Sequence, residues 1–180
     1  MNGALSDVRV LDLSRYLAGP YCGMMLGDLG AEVIKIERPG TGDETRQWGP
    51  PFLDGESAYY LCCNRNKKSL TLNLKIDRGV DIARRLAQKS DVLIENFRVG
   101  GLDELGLGYE RLRELNPRLI YCSISGFGHT GPDRNLPGYD ILIQGRGGYM
   151  SVTGEREGLP MKVGIAFVDV ATAIFASNAI

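Results

Sequence analysis

The sequence predicts an α/β fold with a doubly wound, mostly parallel sheet and flanking helices. Short apolar runs rich in β-branched residues alternate along the chain with segments of helical periodicity. The runs are nearly continuous in their apolar character, which is typical of parallel strands covered on both faces. Right-handed crossovers would join such strands into one sheet.

The first three elements are a strand, a helix and a second strand. Val8 to Leu13 is the first strand, and Pro20 to Leu29 is a helix with proline in its first turn. Gly30 stands where a helix end needs a left-handed residue. Glu32 to Glu37 is the next strand because three of its residues are β-branched and apolar.

Residues 39–57 form a long polar loop, and the alternation then resumes. We expect a strand over Ser69–Leu74 and a helix from Arg78 to Gln88, with Asp77 as its capping residue. A short strand, a short helix and another strand follow, over Val92–Glu95, Tyr109–Leu115 and Leu119–Ile124.

The last third of the chain differs in composition. A glycine-rich stretch runs from Gly126 to Gly148, and Asp169 later begins an apolar helix that reaches Ile180. That helix has no capping glycine and no basic last turn. Because an apolar helix needs a surface to pack on, we expect the chain to be a fragment or one piece of a split protein.

Composition excludes several classes of partner. The chain of 180 residues is the size of one domain and has a net charge of −1, so no basic field favours nucleic acid. Its apolar runs are shorter than the ~20 residues of a membrane span, and its start shows no targeting pattern. The spacing of the cysteines matches no metal or redox motif, so we expect no metal and reduced cytoplasmic thiols at Cys22, Cys62, Cys63 and Cys122.

Ligand binding is expected at the carboxyl edge of the sheet. Arg38 follows the second strand there, where open α/β sheets bind ligands. The loop after the first strand, Ser14 to Pro20, lacks Gly-x-Gly-x-x-Gly, which argues against NAD or FAD. Its backbone N–H groups at Leu17 and Ala18 lie near a helix start and suit an anion or an acyl oxygen.

The segment from Leu26 to Pro39, with Gly42–Arg46 and Trp48–Pro50, resembles the family III CoA-transferases. This CaiB/BaiF family includes formyl-CoA transferase, carnitine CoA-transferase and methylacyl-CoA racemase. The resemblance covers the whole chain but only the amino-terminal part of the family. It implies a Rossmann-like, CoA-binding domain over residues 1–180, incomplete because the family's carboxyl-terminal portion is absent. It also implies acyl-CoA and a carboxylic acid as substrates, no tightly bound cofactor, and a homodimer or a complementary chain.

The resemblance assigns CoA binding mainly to residues that follow predicted strands. Arginine can stack on adenine or fork onto phosphate, and lysine offers a point charge. The full set is Leu17, Ala18, Arg38, Leu72, Asn73, Leu74, Lys75, Asn96, Phe97, Arg98 and Tyr139. Two positions depart from relatives: Leu17 replaces the glutamine of formyl-CoA transferase-like enzymes, and Glu104 replaces a basic residue.

The segments Gly126–Pro132 and Pro137–Ile141 resemble the part of the family that lies over the thioester. His129, the only histidine, would be a lone base with no partner evident from the sequence. Tyr139 stands where the racemase branch has a histidine that transfers protons. Because a phenol of pKa ≈ 10 is a poor base for an α-carbon at neutral pH, transfer is favoured over racemisation.

Asp169 has two interpretations. It caps the last helix, or it is a nucleophile that the helix dipole keeps ionised and that Phe167 and Val168 keep dry. The resemblance aligns it with the family's catalytic aspartate. Asp140 is the main rival for the role of nucleophile, and Asp12 and Asp28 are weaker candidates.

The resemblance therefore implies transfer of CoA from an acyl-CoA donor to a carboxylic acid through an aspartyl-CoA intermediate. Arg46 or Arg15 would grip the acceptor carboxylate. Two further functions stay open: a 2-methylacyl-CoA racemase of the same family, and a non-catalytic CoA-binding fragment that needs a partner chain.

Overall fold

A computed structural model describes residues 3–180. Five parallel strands form one sheet, in the order β5–β2–β1–β6–β7, and β3 and β4 form a small antiparallel hairpin. The strands are β1 (Arg9–Asp12), β2 (Glu32–Glu37), β3 (Phe52–Leu53), β4 (Glu56–Ser57), β5 (Lys67–Thr71), β6 (Val92–Glu95) and β7 (Ile120–Ser123). The predicted parallel α/β architecture is confirmed.

Seven α-helices surround the sheet in the described residues. They are α1 (Ala18–Asp28), α2 (Ala58–Asn64), α3 (Asp77–Ala87), α4 (Gly101–Glu104), α5 (Tyr109–Leu115), α6 (Asp140–Arg146) and α7 (Phe167–Ala179), with 3-10 turns at Glu44–Gln47 and Tyr149–Val152. From residue 3 onward, none of the helices combines the length and the apolar character needed to cross a bilayer.

Both faces of the sheet are covered, as the apolar strands require. Leu11 and Leu93 face a core that contains α3 and α5, whereas Val10 and Val33 face a second core beneath α1. The apolar α7 packs beside α1 on this second face, with Ala173 fully buried. Each strand therefore buries side chains in two directions, which explains why the runs are apolar without alternation.

Two lysines are buried beneath the loop that joins β1 to α1. Lys35 Nζ lies 3.0 Å from Asp43 Oδ2 and donates to the carbonyl of Ser14 at 2.8 Å. Lys67 Nζ lies 2.9 Å from Asp12 Oδ2. Burial lowers the pKa of Lys67; burial alone would raise the pKa of Asp12, but Lys67 and Lys35 hold it below its usual value. Asp12 is therefore an ionised partner of Lys67, and the two lysine–aspartate contacts anchor the loop to the sheet.

Most of the predicted elements are observed, with some shifted boundaries. β2, β6 and α5 match their predicted ranges to the residue, and Gly30 has a φ of +105°. β5 begins and ends earlier than Ser69–Leu74, because Leu72 and Leu74 pack on the core from the loop beyond it. The polar loop of residues 39–57 contains a 3-10 turn and the hairpin. The sequence did not predict α2, α4 or α6.

The capping role predicted for Asp77 is wrong, and so is the capping interpretation of Asp169. Ile76, not Asp77, precedes α3, and Asp77 lies in the first turn of that helix. Ala166 precedes α7, and Asp169 lies in its first turn. In both cases the helix begins earlier than the capping role requires, so the carboxylate interacts with the dipole of the helix and does not bind its first amide.

We predict that Lys35→Met costs about 3–5 kcal/mol of unfolding free energy, because it leaves the buried carboxylate of Asp43 unpaired. Urea denaturation of the purified protein measures this loss. Lys68→Met is the matched control, since Lys68 is an exposed lysine that pairs with Glu32 at the surface and should change stability little. Equal losses in the two variants would contradict the prediction.

Candidate functional site

A cleft of about 720 Å³ opens at the carboxyl edge of the sheet. Its walls come from the loop after β1, the loop after β6, the segment before α6 and the start of α7. These segments contribute residues 15–18, 96–99, 134–141 and several of residues 162–172. The cleft lies where open α/β sheets bind ligands.

The loop after β1 reaches the cleft in a defined conformation. Asp12 accepts a hydrogen bond from the backbone N–H of Ser14 at 2.9 Å, and Tyr16 takes a left-handed φ of +68°. The amide of Asn96 clasps Arg15: its Oδ1 accepts from the Arg15 N–H at 2.9 Å, and its Nδ2 donates to the Arg15 carbonyl at 2.7 Å. The loop is thereby tied to the end of β6.

Backbone donors at the start of α1 are available in this cleft. Leu17 precedes α1 and Ala18 is its first residue, and both line the cleft. Among residues 3–180, neither backbone N–H donates to a protein acceptor. Unpaired donors at a helix start favour an anion or a developing oxyanion.

Three aromatic side chains, Tyr16, Trp48 and Tyr59, line the same cleft. The rings of Tyr16 and Trp48 lie 5.7 Å apart, and the ring of Tyr59 meets that of Trp48 edge-on at 5.2 Å. Burial raises the pKa of Tyr59 to about 12, with a contribution from Asp169, so its phenol remains a donor at neutral pH. No role was predicted for these three side chains from the sequence. Tyr59 was missed because α2 was not predicted, although Ser57 is a recognisable N-cap that accepts from the Tyr60 N–H at 3.3 Å.

Asp169 lies at the end of the cleft nearest α7. Burial raises the pKa of this carboxyl to about 6, and the neighbouring carboxylate of Asp140 contributes to the rise. The group is nevertheless still mostly ionised at pH 7. Val168 lines the cleft, whereas Phe167 packs on Tyr149, with ring centroids 5.5 Å apart, and is not among the residues that line it.

The other carboxylates considered from the sequence are engaged. Asp140 Oδ1 accepts from the N–H groups of Val168 at 2.8 Å and Asp169 at 3.3 Å, and thus caps α7. Asp12 is buried in its ion pair, and Asp28 binds Arg65 away from the cleft. Across the part of the chain that the structure describes, no donor is bound to the carboxylate of Asp169.

The predicted CoA-binding residues divide into two neighbouring groups. The first lines the cleft with Asp169 and consists of Leu17, Ala18, Asn96, Phe97, Arg98 and Tyr139. The second lies outside the cleft walls, after β2 and β5, and consists of Arg38, Leu72, Asn73, Leu74 and Lys75. Glu44 links the second group to the cleft wall, because it lies 3.3 Å from Arg38 and 2.8 Å from Arg15, which lines the cleft.

The remaining polar residues singled out from the sequence have partners. Arg46 forms two 2.8 Å hydrogen bonds with Glu37, so it is not free to bind an acceptor as expected. Glu104 pairs with Arg98. His129 is not a lone base, since its Nε2 lies 2.8 Å from the hydroxyl of Ser123. Residues 3–180 hold no group of three acidic, histidine or cysteine side chains suited to a metal ion.

Comparison with known proteins gives consistent matches along the whole chain. The family model for CoA-transferase family III matches residues 5–180. Succinate–glutarate CoA-transferase of Agrobacterium fabrum is 53% identical over 98% of this chain and 46% of its own length. Succinyl-CoA:glutarate CoA-transferase of Mus musculus is 53% identical over 98% of this chain and 40% of its own length.

A solved structure matches the fold closely. The crystal structure of a CaiB/BaiF family protein from Brucella suis superimposes with a TM-score of 0.95 at 50% identity, over 99% of this chain and 48% of that one. The chain thus spans less than half the length of each of these relatives.

We predict that Asp140→Asn lowers the pKa of Asp169 from about 6, because it removes the adjacent negative charge. The pKa should fall only part of the way to the ordinary value, since burial is the larger cause of the shift. Carboxyl carbon NMR titration of labelled aspartate measures it. An unchanged titration of Asp169 in the variant would show that the two carboxylates do not interact.

Proposed function

The chain belongs to CoA-transferase family III, and from this membership we propose that it transfers CoA from an acyl-CoA donor to a carboxylic acid, with Asp169 as the nucleophile. One observation carries the proposal: Asp169 is a carboxylate in the cleft, mostly ionised at pH 7 and without a bound donor in the described residues. A partly desolvated carboxylate of this kind is a competent nucleophile towards a thioester.

The reaction proceeds through anhydrides and thioesters in turn. Asp169 attacks the thioester carbonyl of the donor, which gives an acyl-aspartyl anhydride and releases CoA thiolate. The thiolate attacks the aspartyl carbonyl, forms aspartyl-CoA and expels the donor acid as its carboxylate. The acceptor carboxylate then attacks aspartyl-CoA, giving a second anhydride and thiolate. Attack of that thiolate on the acceptor's acyl carbon forms the product and regenerates Asp169.

Each tetrahedral intermediate needs stabilisation of an oxyanion. The free backbone N–H groups of Leu17 and Ala18 supply it from the protein, typically by ~3–4 kcal/mol per donor. The neutral phenol of Tyr59 is a further donor in the same wall. Leu17 replaces a glutamine of formyl-CoA transferase-like enzymes. At this position the oxyanion therefore accepts a hydrogen bond from the backbone N–H alone, because no side-chain amide is present.

Coenzyme A would lie along the carboxyl edge of the sheet. The reactive end of its pantetheine arm enters the cleft between Phe97, Tyr139 and Asn96, with Leu17, Ala18 and Arg98 around it. Its charged end follows the second group of residues, where Arg38 and Lys75 supply positive charge beside residues 72–74. CoA is a substrate in this scheme, and no cofactor is held between turnovers.

Residues 1–180 constitute the CoA-binding domain in this proposal. We infer that the active protein is a homodimer or includes a complementary chain. We also place it in the cytoplasm, where free thiols such as those of its four cysteines persist.

The acceptor is proposed to be a dicarboxylate, as in the printed names of the two relatives above. Arg15 is the arginine positioned to bind its second carboxylate. The Arg15 guanidinium lies 5.3 Å from the Phe97 ring and 5.7 Å from that of Tyr16, and Glu44 holds it in the cleft wall. A rigidly held guanidinium is suited to a planar, bidentate carboxylate.

We predict that Asp169→Asn abolishes the acyl-enzyme that hydroxylamine traps from an acyl-CoA donor, because the amide is not a nucleophile. In the natural protein without the substitution, the yield of trapped acyl-enzyme should decline as the pH falls through about 6, because protonation of Asp169 removes the reactive carboxylate. Mass spectrometry of the hydroxamate on Asp169 provides the measurement.

Asp54→Asn is the matched control for this substitution. Asp54 is exposed in the β3–β4 turn with a φ of +50°, which asparagine also tolerates, so trapping should be unchanged. Persistent trapping in Asp169→Asn would exclude Asp169 as the nucleophile. Deuterium uptake at the α-carbon of a 2-methylacyl-CoA without an acceptor would instead indicate racemisation, and CoA binding without either reaction would indicate a non-catalytic domain.

We predict that Arg15→Gln raises the KM for succinate or glutarate about 10-fold or more, because a charge-assisted hydrogen bond to the distal carboxylate is lost. The KM for a monocarboxylate acceptor should change little. Steady-state kinetics with each acceptor give the comparison. Arg38→Gln is the control and should raise the KM for acyl-CoA only, whereas an equal effect of Arg15→Gln on both acceptor classes would refute this role.

A further inference from the structure

Gln144 is a buried amide on α6, the helix that Asp140 begins, and its oxygen and nitrogen both form hydrogen bonds. It is 1% exposed on the inner face of α6. Its Oε1 accepts from the N–H of Val163 at 2.8 Å. Its Nε2 donates to Asp140 Oδ2 at 2.6 Å and to the carbonyl of Ile165 at 3.3 Å.

These hydrogen bonds join two separate parts of the chain. Val163 and Ile165 belong to the segment that leads into α7, whereas Asp140 begins α6. Gln144 holds Asp140 Oδ2, so that Oδ1 faces the first turn of α7 and accepts from Val168 and Asp169. A continuous chain of hydrogen bonds therefore runs from Gln144 to the backbone of Asp169.

We propose that Gln144 is a positioning residue for the nucleophile Asp169 and acts on it through Asp140. This inference rests on the proposed CoA transfer. Asp140 contacts the backbone N–H of Asp169 and not its side chain. By holding Asp140, Gln144 therefore sets the position of the first turn of α7, while the carboxylate oxygens of Asp169 stay free. A displacement of about 1 Å at a reacting group is enough to cost on the order of 100-fold in rate.

As long as residue 140 is an aspartate, position 144 requires an amide. Gln144 must accept from one backbone N–H and donate to both a carboxylate and a carbonyl. Glutamate accepts but cannot donate, and an apolar side chain would leave Val163 and Asp140 with unpaired buried groups. A neutral side chain also adds no second negative charge beside Asp140.

The electrostatic surroundings of Asp169 come from several elements. Asp140 on α6 raises its pKa, and Tyr59 on α2 faces it as a neutral phenol. The other charged or titratable side chains that line the same cleft are Arg15, Tyr16, Arg98, Arg134, Tyr139 and Lys162. Among the groups described, Asp140 is the negative charge that Gln144 holds next to the nucleophile.

The inference is tested in the natural protein by exchanging the hydrogen-bond donor at position 144 and the acceptor at position 140. Gln144→Glu sets two carboxylates against each other. Asp140→Asn leaves one buried N–H facing another, whichever way the two amides rotate. We expect each single variant to lower the rate of acyl-enzyme trapping by about 10-fold to 100-fold. The double variant restores the bond in reverse, because the new amide at position 140 donates to the new carboxylate at position 144 and still offers its oxygen to α7.

The double variant should recover most of the lost rate, and its acid limb should lie at lower pH than that of the original protein, because the negative charge now lies on residue 144 and no longer on residue 140 beside Asp169. That shift reports only where the charge lies. A purely structural role predicts that each single variant loses rate only in proportion to the fraction of its molecules that is unfolded, which circular dichroism measures. Gln88→Glu at the exposed end of α3 is the matched control and should alter neither the rate nor the acid limb.

The outcomes separate this inference from the proposed function. If the original protein traps acyl-enzyme and the double variant is no faster than the singles, or the singles are as fast per folded molecule as the original protein, the positioning role is wrong. If the original protein traps nothing, the proposed function fails. NMR of the backbone amides of Val168 and Asp169 in the same four proteins then decides alone, and amide chemical shifts that are unchanged in Gln144→Glu overturn the inference.

Discussion

Two buried lysine–aspartate pairs are the constraint on which the cleft depends. Lys35 joins Asp43 to the carbonyl of Ser14, and Lys67 joins Asp12 to the carbonyl of Pro20 and the side chain of Asn64. The first pair therefore fastens the loop before Trp48 beneath the loop of residues 14–18. The second fastens the end of α2, which carries Tyr59, to the start of α1. Charges so deeply buried are costly unless they are paired, and this makes the arrangement of these loops specific.

Asp169, in the cleft above these ion pairs, is in a different environment. This nucleophile candidate has no counter-ion in the described residues, and removal from water brings its pKa to about 6. A carboxylate that is less well solvated is more reactive, provided that it is still ionised at the working pH. Asp140 contributes to both effects, because its negative charge raises the pKa of Asp169 while its oxygen caps the helix that carries it. Because Asp140 on α6 caps α7, Asp169 does not have the capping role that was one interpretation of the sequence.

The parts of the structure that could be predicted share one property. β2, β6 and α5 matched to the residue because their boundaries are marked locally, by apolar runs that end at charged or turn residues. The helix α2 was missed because its sequence, rich in aromatic and cysteine residues, shows no helical period of apolar and polar positions. Of the two interpretations of Asp169, capping is wrong because α7 begins before it, after a residue without a capping side chain.

The sequence by itself determined the parallel α/β fold, the edge of the sheet that forms the cleft, and the family, because apolar runs and motif spacing are local properties of the chain. Only the tertiary structure decided which charged residues are free. Arg46 and Arg15, or Asp140 and Asp169, look alike in sequence. Glu37 holds Arg46 through two hydrogen bonds, whereas Arg15 forms one bond to Glu44 and its Nε has no partner in the described residues; Asp140 is held by Gln144 and α7. Those partners lie on other elements or are brought close by them, so their hydrogen bonds exist only once the chain has folded.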